Sequence, residues 1–486
     1  MQSSSVGLTG NGVLGSGGGC VSHRRGGDIS LATGAALVSF AACLGLALLV
    51  FDVRVVATAS VVLGLAALAV RFPFAGVVSY LLIAGLHLEE LGFSPVVLRI
   101  QLLLALTCLI ALALPGVARR EWKRWNWLGT DWPLVLLFAA ACASVPLSVS
   151  RPGAAAACWQ FAKLGFGYVL IRQTATTPRR LRAIVWVILW MTALTALLAL
   201  YGAWRGRVYV GEHGLSRMTG LTSTSGDPNT LANTLIAGLP LMLLLATVEP
   251  KLRSRATLYG MAAFSLYVML HTGARAGLVS LLACCALIVL VSRKKLLAGL
   301  TLASMVLLFW AGLPTELKER YASLGAYRSE ATYVSRRESA RLGFRMLADH
   351  PLTGVGLGCY MIARVEEYDG IWLQPHNLYA QVAGELGLVG TIAFAGFLVA
   401  SLRTCWRARR LLSESDFGAK ERIWLDRLCV SIPIMFAALL VQGLAGHNFG
   451  RWHYYAGAAL ATSCLQVVLA SVESERRERA APGGRE

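Results

Sequence analysis

Charge is scarce in this chain. Asp, Glu, Lys and Arg make up 15% of its 486 residues, against about a quarter in soluble globular proteins. Hydrophobic residues make up 56% and the mean hydropathy is +0.60. That balance excludes an ordinary cytosolic enzyme, a disordered tail protein and a small secreted scaffold. A disulfide framework is missing as well: of the 11 cysteines, most lie inside apolar runs, where they act as small hydrophobes. Cys359 alone falls in a long polar segment, without a partner there. The first 27 residues are rich in Gly and Ser and show no signal-peptide pattern; they are expected to be a disordered cytoplasmic tail.

What is present is a series of long apolar runs. Bilayer-length stretches predict an all-α polytopic membrane protein, a bundle of 12–14 transmembrane helices. The predicted spans lie at 31–50, 54–70, 72–88, 97–114, 132–149, 157–173, 181–203, 229–248, 256–271, 274–291, 295–311, 376–400, 428–446 and 453–471. One large loop, 312–375, carries short helices. The net charge of +19 sits mainly between the spans, so it reads as an orientation signal and not as a nucleic-acid footprint. With both termini in the cytoplasm, the basic clusters at Arg119–Arg124, Arg172–Arg182, Lys251–Arg255 and Arg403–Arg427 all fall inside. Four polar segments then share the outer face: 204–228, the 272–275 turn, 312–375 and the 447–452 turn. A rigid bundle holding several loops together is where function is expected.

Within those segments a few residues carry chemistry. Asp227 and Pro228 read as an N-cap and first helical residue, with Asn229 following. Upstream, Arg217 precedes a stretch rich in Thr and Ser, and taken alone it reads as a solvated surface residue. Arg275, flanked by Gly273, Ala274, Ala276 and Gly277, either meets a phosphate with two parallel hydrogen bonds or snorkels to the head groups. Pro375-His376-Asn377 opens a span in which positions 376, 380, 383, 384, 387 and 390 share one small-residue face. At a helix N-terminus the dipole disfavours imidazolium, so His376 is a candidate general base; the plainer alternative is that it merely caps the helix. Residues 335–348 form an arginine-studded helix with Arg336 and Arg337, lying on the bundle or in the interface. After it, Gly354–Gly358 make a flexible turn that is no nucleotide loop, since no strand precedes it and no lysine follows. His447, Asn448, Arg451 and His453 cluster without metal-ligand spacing, so no metal site is expected. Gln160 and Lys163, inside a span, are expected to line a polar cavity or pair with a neighbouring helix.

Taken together, these segments resemble the O-antigen ligase and polymerase family of bacterial inner-membrane glycosyltransferases. The likeness is carried by Arg217-Met218-Thr219-Gly220 leading to Asp227-Pro228-Asn229, and by Thr272-Gly273-Ala274-Arg275-Ala276. It continues in Asp349-His350-Pro351-Leu352-Thr353-Gly354-Val355-Gly356 and in His376-Asn377-Leu378-Tyr379 with Gly384-Glu385-Leu386-Gly387. Ala274-Arg275-Ala276 departs from the family's common Ser-Arg-Gly while keeping small residues on both sides.

The resemblance implies a multi-pass protein of the bacterial inner membrane acting in cell-envelope polysaccharide or lipopolysaccharide synthesis. It would transfer a glycan from an undecaprenyl diphosphate carrier to an acceptor hydroxyl on a glycan, lipid or protein, with no cofactor, metal or nucleic acid. By position, Arg217 and Arg275 would hold the diphosphate and His376 would activate the acceptor. Asp227, Asn229, Asn377, His447 and one of Arg336 and Arg337 would support them. The corresponding organisation is a tail at 1–27, amino-terminal helices over 28–203, a ligase-like region over 204–471 containing loop 312–375, and a cytoplasmic tail over 472–486. Two further observations bear on alternatives. Paired carboxylates at glycosidase-like positions do not stand out, which disfavours hydrolysis. A secondary transporter or flippase of a lipid-linked or anionic substrate would usually show internal repeats, and the sequence shows none.

Overall fold

The computed structural model describes residues 125–480 except 212–213, 223–224 and 324–330, together with 60, 64–65, 67–86, 104–108 and 110 before them. The expected amino-terminal tail, the span at 31–50, most of those at 54–70 and 97–114, and the last six residues lie outside the described part.

Helices dominate. They are α1 (Pro73–Leu86), α2 (Asp131–Ser144), α3 (Arg151–Thr174), α4 (Pro178–Trp204), α5 (Pro228–Ala246), α6 (Leu252–His271), α7 (Arg275–Val291), α8 (Lys295–Ala311), α9 (Thr315–Ala322), α10 (Ala331–Asp349), α11 (Tyr360–Glu367), α12 (Leu378–Leu411), α13 (Ala419–Gly443) and α14 (Trp452–Ala480). A two-residue ribbon, β1 (Tyr209–Val210) with β2 (Ser216–Arg217), is the described sheet. Among the described residues six helices, α3, α4, α5, α12, α13 and α14, are long and apolar enough to cross a bilayer; α1, α2, α7 and α8 are shorter apolar helices. The chain is a multi-pass helical membrane protein. α14 runs past the expected end of its span to Ala480, so most of the segment read as a tail after 471 is helix.

The helix starts follow one local grammar. Ser150, Thr177, Asp227 and Asn377 each accept a backbone N–H of the first turn, and proline occupies the first turn of α3, α4 and α5. Each cap contributes about 1 kcal/mol. α5 is the hub of the bundle and is almost wholly buried among α4, α6, α7 and α13. Small residues allow that approach: a Cβ on Gly277 of α7 would lie 3.1 Å from the Cβ of Ala232 in α5, and one on Gly238 of α5 would lie 2.9 Å from Thr192 of α4. At the end away from the four polar segments, Asp131 accepts from the Tyr168 hydroxyl at 2.6 Å and pairs with Arg172 at 3.6 Å. Arg172 also donates to Gln466 of α14, so this polar knot ties α2, α3 and α14 together.

α12 is not the continuous helix its sequence suggests. Gly387 has φ 63° and ψ −161°, which interrupts the helix. The 351–356 backbone fills the break: Val355 and Gly356 donate to the carbonyls of Gly384 and Glu385 at 2.9 and 3.0 Å, and Leu388 and Val389 donate to Pro351 and Leu352 at 2.8 and 3.2 Å. Four main-chain groups freed by the interruption are thereby satisfied inside a bundle where water is scarce. The segment read as a flexible turn is therefore a fixed joint, with Val355 and Leu357 buried and Gly354, Gly356 and Gly358 at positive φ. α10 packs along the same stretch, where a Cβ on Gly343 would lie 2.6 Å from the Ala380 carbonyl oxygen. This joint sets the direction of the α12 start, and with it the candidate site.

Candidate functional site

The four polar segments do meet at one end of the bundle. Arg217 occupies the second ribbon strand, paired with Tyr209 across the register, and its guanidinium lies over that ring with the centroid 5.5 Å away. Its Nε donates to the Thr272 carbonyl at 2.7 Å, and Met218 N donates to His271 O at 3.0 Å, which fastens the ribbon to the α6–α7 turn. Gly273 sits at φ 59°, and a Cβ there would come within 3.3 Å of Arg217 Nε and 3.0 Å of Leu317, so only glycine lets both sides close. Arg217 is 6% exposed, and its Nη2 is buried with no hydrogen-bond partner among the described residues. A buried orphan donor of this kind calls for a ligand or water. Burial, and then the charge of Arg320, push the Arg217 pKa down to about 10; Asp227 pulls in the opposite direction.

Arg275 opens α7, but one edge of its fork is already engaged. Nε donates to the Arg320 carbonyl at 2.9 Å and Nη2 to Ser323 Oγ at 2.6 Å, tying α7 to the end of α9. Arg320 in turn donates from Nε to Gly273 O at 2.8 Å. Arg320 was not among the residues the sequence singled out. Its only signal is a place in a short charged helix, and it reaches the 272–275 turn through tertiary packing alone.

His376 lies just before α12 and is the one non-glycine residue at positive φ among those described, with φ 47°. A left-handed conformation costs about 1–2 kcal/mol, and such residues gather at functional sites. His376 is not the helix cap. That role falls to Asn377, whose Oδ1 accepts from Ala380 N at 2.9 Å and whose Nδ2 donates to Leu444 O at 3.0 Å, linking the start of α12 to the end of α13. Beside His376 stands His447, ring centroids 5.7 Å apart and edge to face. Burial first, then the positive charge of Arg336, push His376 down to about 4; burial, His376 and Arg451 do the same for His447. Both imidazoles are neutral at pH 7. Of the two arginines left unseparated by the sequence, Arg336 is the one whose charge acts on both histidines, while Arg337 is exposed.

Asp227 is the carboxylate whose charge reaches Arg217, His376, His447 and Arg451. It caps α5 by accepting from Asn229 N and Thr230 N, each at 3.0 Å. Asn229 also accepts, through its carbonyl, from Gln442 Nε2 at 3.0 Å, so α13 is fastened to the same turn. Arg451, which the sequence noted only as a neighbour of His447, has its pKa pushed down to about 10 by burial. Arg217, Arg336 and Arg451 thus act together with one aspartate and two neutral imidazoles, and Arg275 and Arg320 join Arg217 at the 272–275 turn. Such a site attracts an anion carrying more than one charge, next to a group able to take a proton.

Below this cluster opens a cavity of about 690 Å³ bounded by α1, α3, α4, α12 and the 449–456 segment. Gln160 and Lys163 line it, as one of the two sequence expectations had them, and Lys163 Nζ donates to Gln160 Oε1 at 3.0 Å. Glu385 is buried in its wall, where it meets the backbone of Gly358 and Tyr360 and the Gln381 side chain, and not His376.

Comparison with known families finds a match over part of the chain. Residues 260–395 match the family described as O-antigen ligase. The matched stretch holds Arg275, Arg320, Arg336, His376 and the joint in α12; Arg217, Asp227, His447 and Arg451 lie outside it. No curated protein matches the chain. Among solved structures the chain is similar to one from a peptidoglycan synthase complex that coordinates polymerization and crosslinking, at 16% identity, covering 71% of this chain and 99% of that one with a TM-score of 0.38.

Proposed function

We propose that this chain, which carries an O-antigen ligase family domain over residues 260–395, transfers a glycan from an undecaprenyl diphosphate carrier to an acceptor hydroxyl at the outer face of the bacterial inner membrane. The observation that carries the reading is the excess of cationic groups around Asp227 next to the neutral His376. In the reaction the acceptor oxygen forms a bond to the anomeric carbon and the bond from that carbon to the phosphate oxygen breaks. The electron pair leaves with the diphosphate, and the hydroxyl proton passes to His376. Arg217 points its unpartnered Nη2 at the diphosphate, and Arg275 and Arg320 hold the 272–275 turn around it. Fixed cations in a site shielded from water stabilise the leaving charge more strongly than mobile ions would.

The same electrostatics account for the base. By itself His376 is a weak base, because burial and then the charge of Arg336 oppose its protonation. Arrival of a diphosphate neutralises part of that positive field and raises the imidazole toward the range useful for proton transfer. The base is therefore strengthened only when donor is bound, which couples proton uptake by His376 to the presence of the diphosphate.

The test is reconstitution. Purified protein in liposomes, given a diphosphate-linked oligosaccharide and candidate acceptors, is expected to form a glycosidic product with matching release of undecaprenyl diphosphate. Movement of the intact donor across the bilayer without any product would instead identify a flippase and overturn the reading.

A further inference from the structure

We propose that a second cavity, where the ends of α7, α12 and α13 remote from the candidate site converge, binds the phosphodiester head of an anionic glycerophospholipid in the leaflet opposite that site. Neither substrate of the transfer reaction occupies it, and no residue of the candidate site lines it.

The fold gathers three arginines and one carboxylate here from separate stretches of sequence. Arg275 begins α7 at the candidate site and Val291 ends it, a helix of 17 residues and therefore about 25 Å long. Arg293 follows directly. Arg409 lies in the last turn of α12, at the other end from His376. Asp426 and Arg427 lie in the first half of α13, which packs against both α7 and α12. With Val291 and Val430 these four residues line a cavity of about 370 Å³, within the range of ligand sites, about 300–1,000 Å³.

The charges in the lining do not balance. Asp426 Oδ1 accepts from Arg409 Nε at 2.7 Å, so the carboxylate is already engaged, and the lining keeps two positive charges in excess. Arg427 Nε is buried with no hydrogen-bond partner among the described residues, an orphan donor that calls for an acceptor. Helix ends do not account for it. Arg409 complements the dipole at the carboxyl end of α12, but Arg427 stands about two turns inside α13, where neither terminus acts on it. Arginine forks that converge without a carboxylate to take them suit a phosphate.

Apolar surface identifies the phosphate as a lipid's. Leu282 and Leu290 of α7, and Val399 and Leu402 of α12, are exposed and run from the cavity toward the bundle centre. Leu402 precedes Arg409 by about two turns, roughly 10 Å, which crosses a head-group layer of about 5–8 Å and enters hydrocarbon. Trp406 is exposed between them, at the level interfacial tryptophans take. The cavity thus lies at head-group height, bordered by surface that acyl chains cover. Basic pockets between helices at a membrane face hold anionic lipid heads, and the excess positive charge repels the ammonium of a zwitterionic one.

The test is lipid binding by the purified full-length protein, delipidated in a neutral detergent and read by native mass spectrometry. Phosphatidylglycerol, phosphatidylethanolamine and the chain-free head glycerophosphoglycerol are titrated in parallel. Phosphatidylglycerol is expected to bind about tenfold more tightly than either of the others. Arg293→Gln, a change to an exposed side chain, is expected to raise the phosphatidylglycerol Kd about tenfold. Lys294→Gln, at the equally exposed neighbour outside the lining, is expected to change it less than about twofold. Asp426→Asn keeps the side-chain shape, releases Arg409 and removes the lining carboxylate, so it is expected to lower Kd by about threefold or more; loss of a merely structural ion pair would not tighten binding. Equal affinity for phosphatidylethanolamine overturns the proposal, as does an Arg293→Gln Kd indistinguishable from that of Lys294→Gln. Weaker or unchanged binding by a folded Asp426→Asn protein also overturns it. Glycerophosphoglycerol binding as tightly as phosphatidylglycerol assigns the cavity to a soluble phosphate and overturns the lipid assignment.

Discussion

Replacing Gly354 by alanine should be strongly damaging, because the added methyl meets backbone on a left-handed residue. Gly354 has φ 65°, and the added Cβ would fall 2.4 Å from the Gly384 carbonyl oxygen and 2.5 Å from the Glu385 carbonyl carbon. The left-handed backbone costs about 1–2 kcal/mol for a residue with a Cβ. The methyl must also push the 354–356 segment off α12. If the bonds from Val355 and Gly356 to Gly384 and Glu385 are lost, each contributes a further 0.5–1.5 kcal/mol, approximately. The sum is about 2–5 kcal/mol, enough to lower the apparent Tm by several degrees. The helix start that presents Asn377 and His376 then shifts, and displacement of a reacting group by about 1 Å lowers rate by as much as 10²-fold. The assay is thermal unfolding in detergent together with transfer by the reconstituted protein. Gly260→Ala is the control, because a Cβ there meets nothing within 4 Å and a glycine removed from a helix interior is neutral or stabilising by about 0.5–1 kcal/mol. A Gly354→Ala protein with the wild-type Tm and wild-type transfer would refute the joint as the element that positions the site.

Three other expectations follow from the same geometry. Arg217→Lys and Arg275→Lys should each lower transfer by about tenfold or more, since a point charge lacks the planar fork; wild-type kcat/KM in both variants would remove the diphosphate role. Because the folded state holds His376 and His447 near 4 against an ordinary value of 6.5, the unfolded chain takes up more protons between those values. Stability should therefore be constant above neutral pH and fall as pH drops from about 6.5 toward 4, and His447→Gln should flatten that slope in Tm-against-pH curves; an unchanged slope would contradict the burial argument. If, as the distribution of basic residues suggests, 312–375 is outside and 401–427 inside, a cysteine introduced at Glu319 should react with an impermeant maleimide in intact spheroplasts and one at Ser413 should not, and the reverse pattern would invert the bundle.

Much of this architecture was legible in the sequence, for identifiable reasons. Apolar run length and, at Asp227-Pro228, the cap-then-proline pattern are local signals; they place the start of α5 within one residue, whereas α4 begins three residues and α3 six residues before the apolar run that announced it. Asp227 as a cap, the polar neighbourhood of Lys163, and the gathering of four polar segments at one end also followed from local pattern and alternation. The interruption in α12 did not. Gly384 and Gly387 read as the small face of a continuous helix, and what breaks it is hydrogen bonding to residues about thirty positions earlier. The same limit hid Arg320 and Arg451, whose importance comes from being brought beside Gly273 and Asp227 by packing. It also left His376 with two roles, base or cap, until the cap was seen to be Asn377.

The central claim is that His376 takes the acceptor proton, and His376→Asn addresses it most directly. Asparagine tolerates the positive φ at this position better than most residues, carries no basic nitrogen, and leaves the Asn377 cap in place. Measured at saturating donor and acceptor across pH 5–8, the variant is expected to bind donor as wild type does and to transfer roughly 10²–10⁴-fold more slowly. A well-folded His376→Asn protein transferring at the wild-type rate over that range would contradict the assignment and leave the arginines as the supported part of the site.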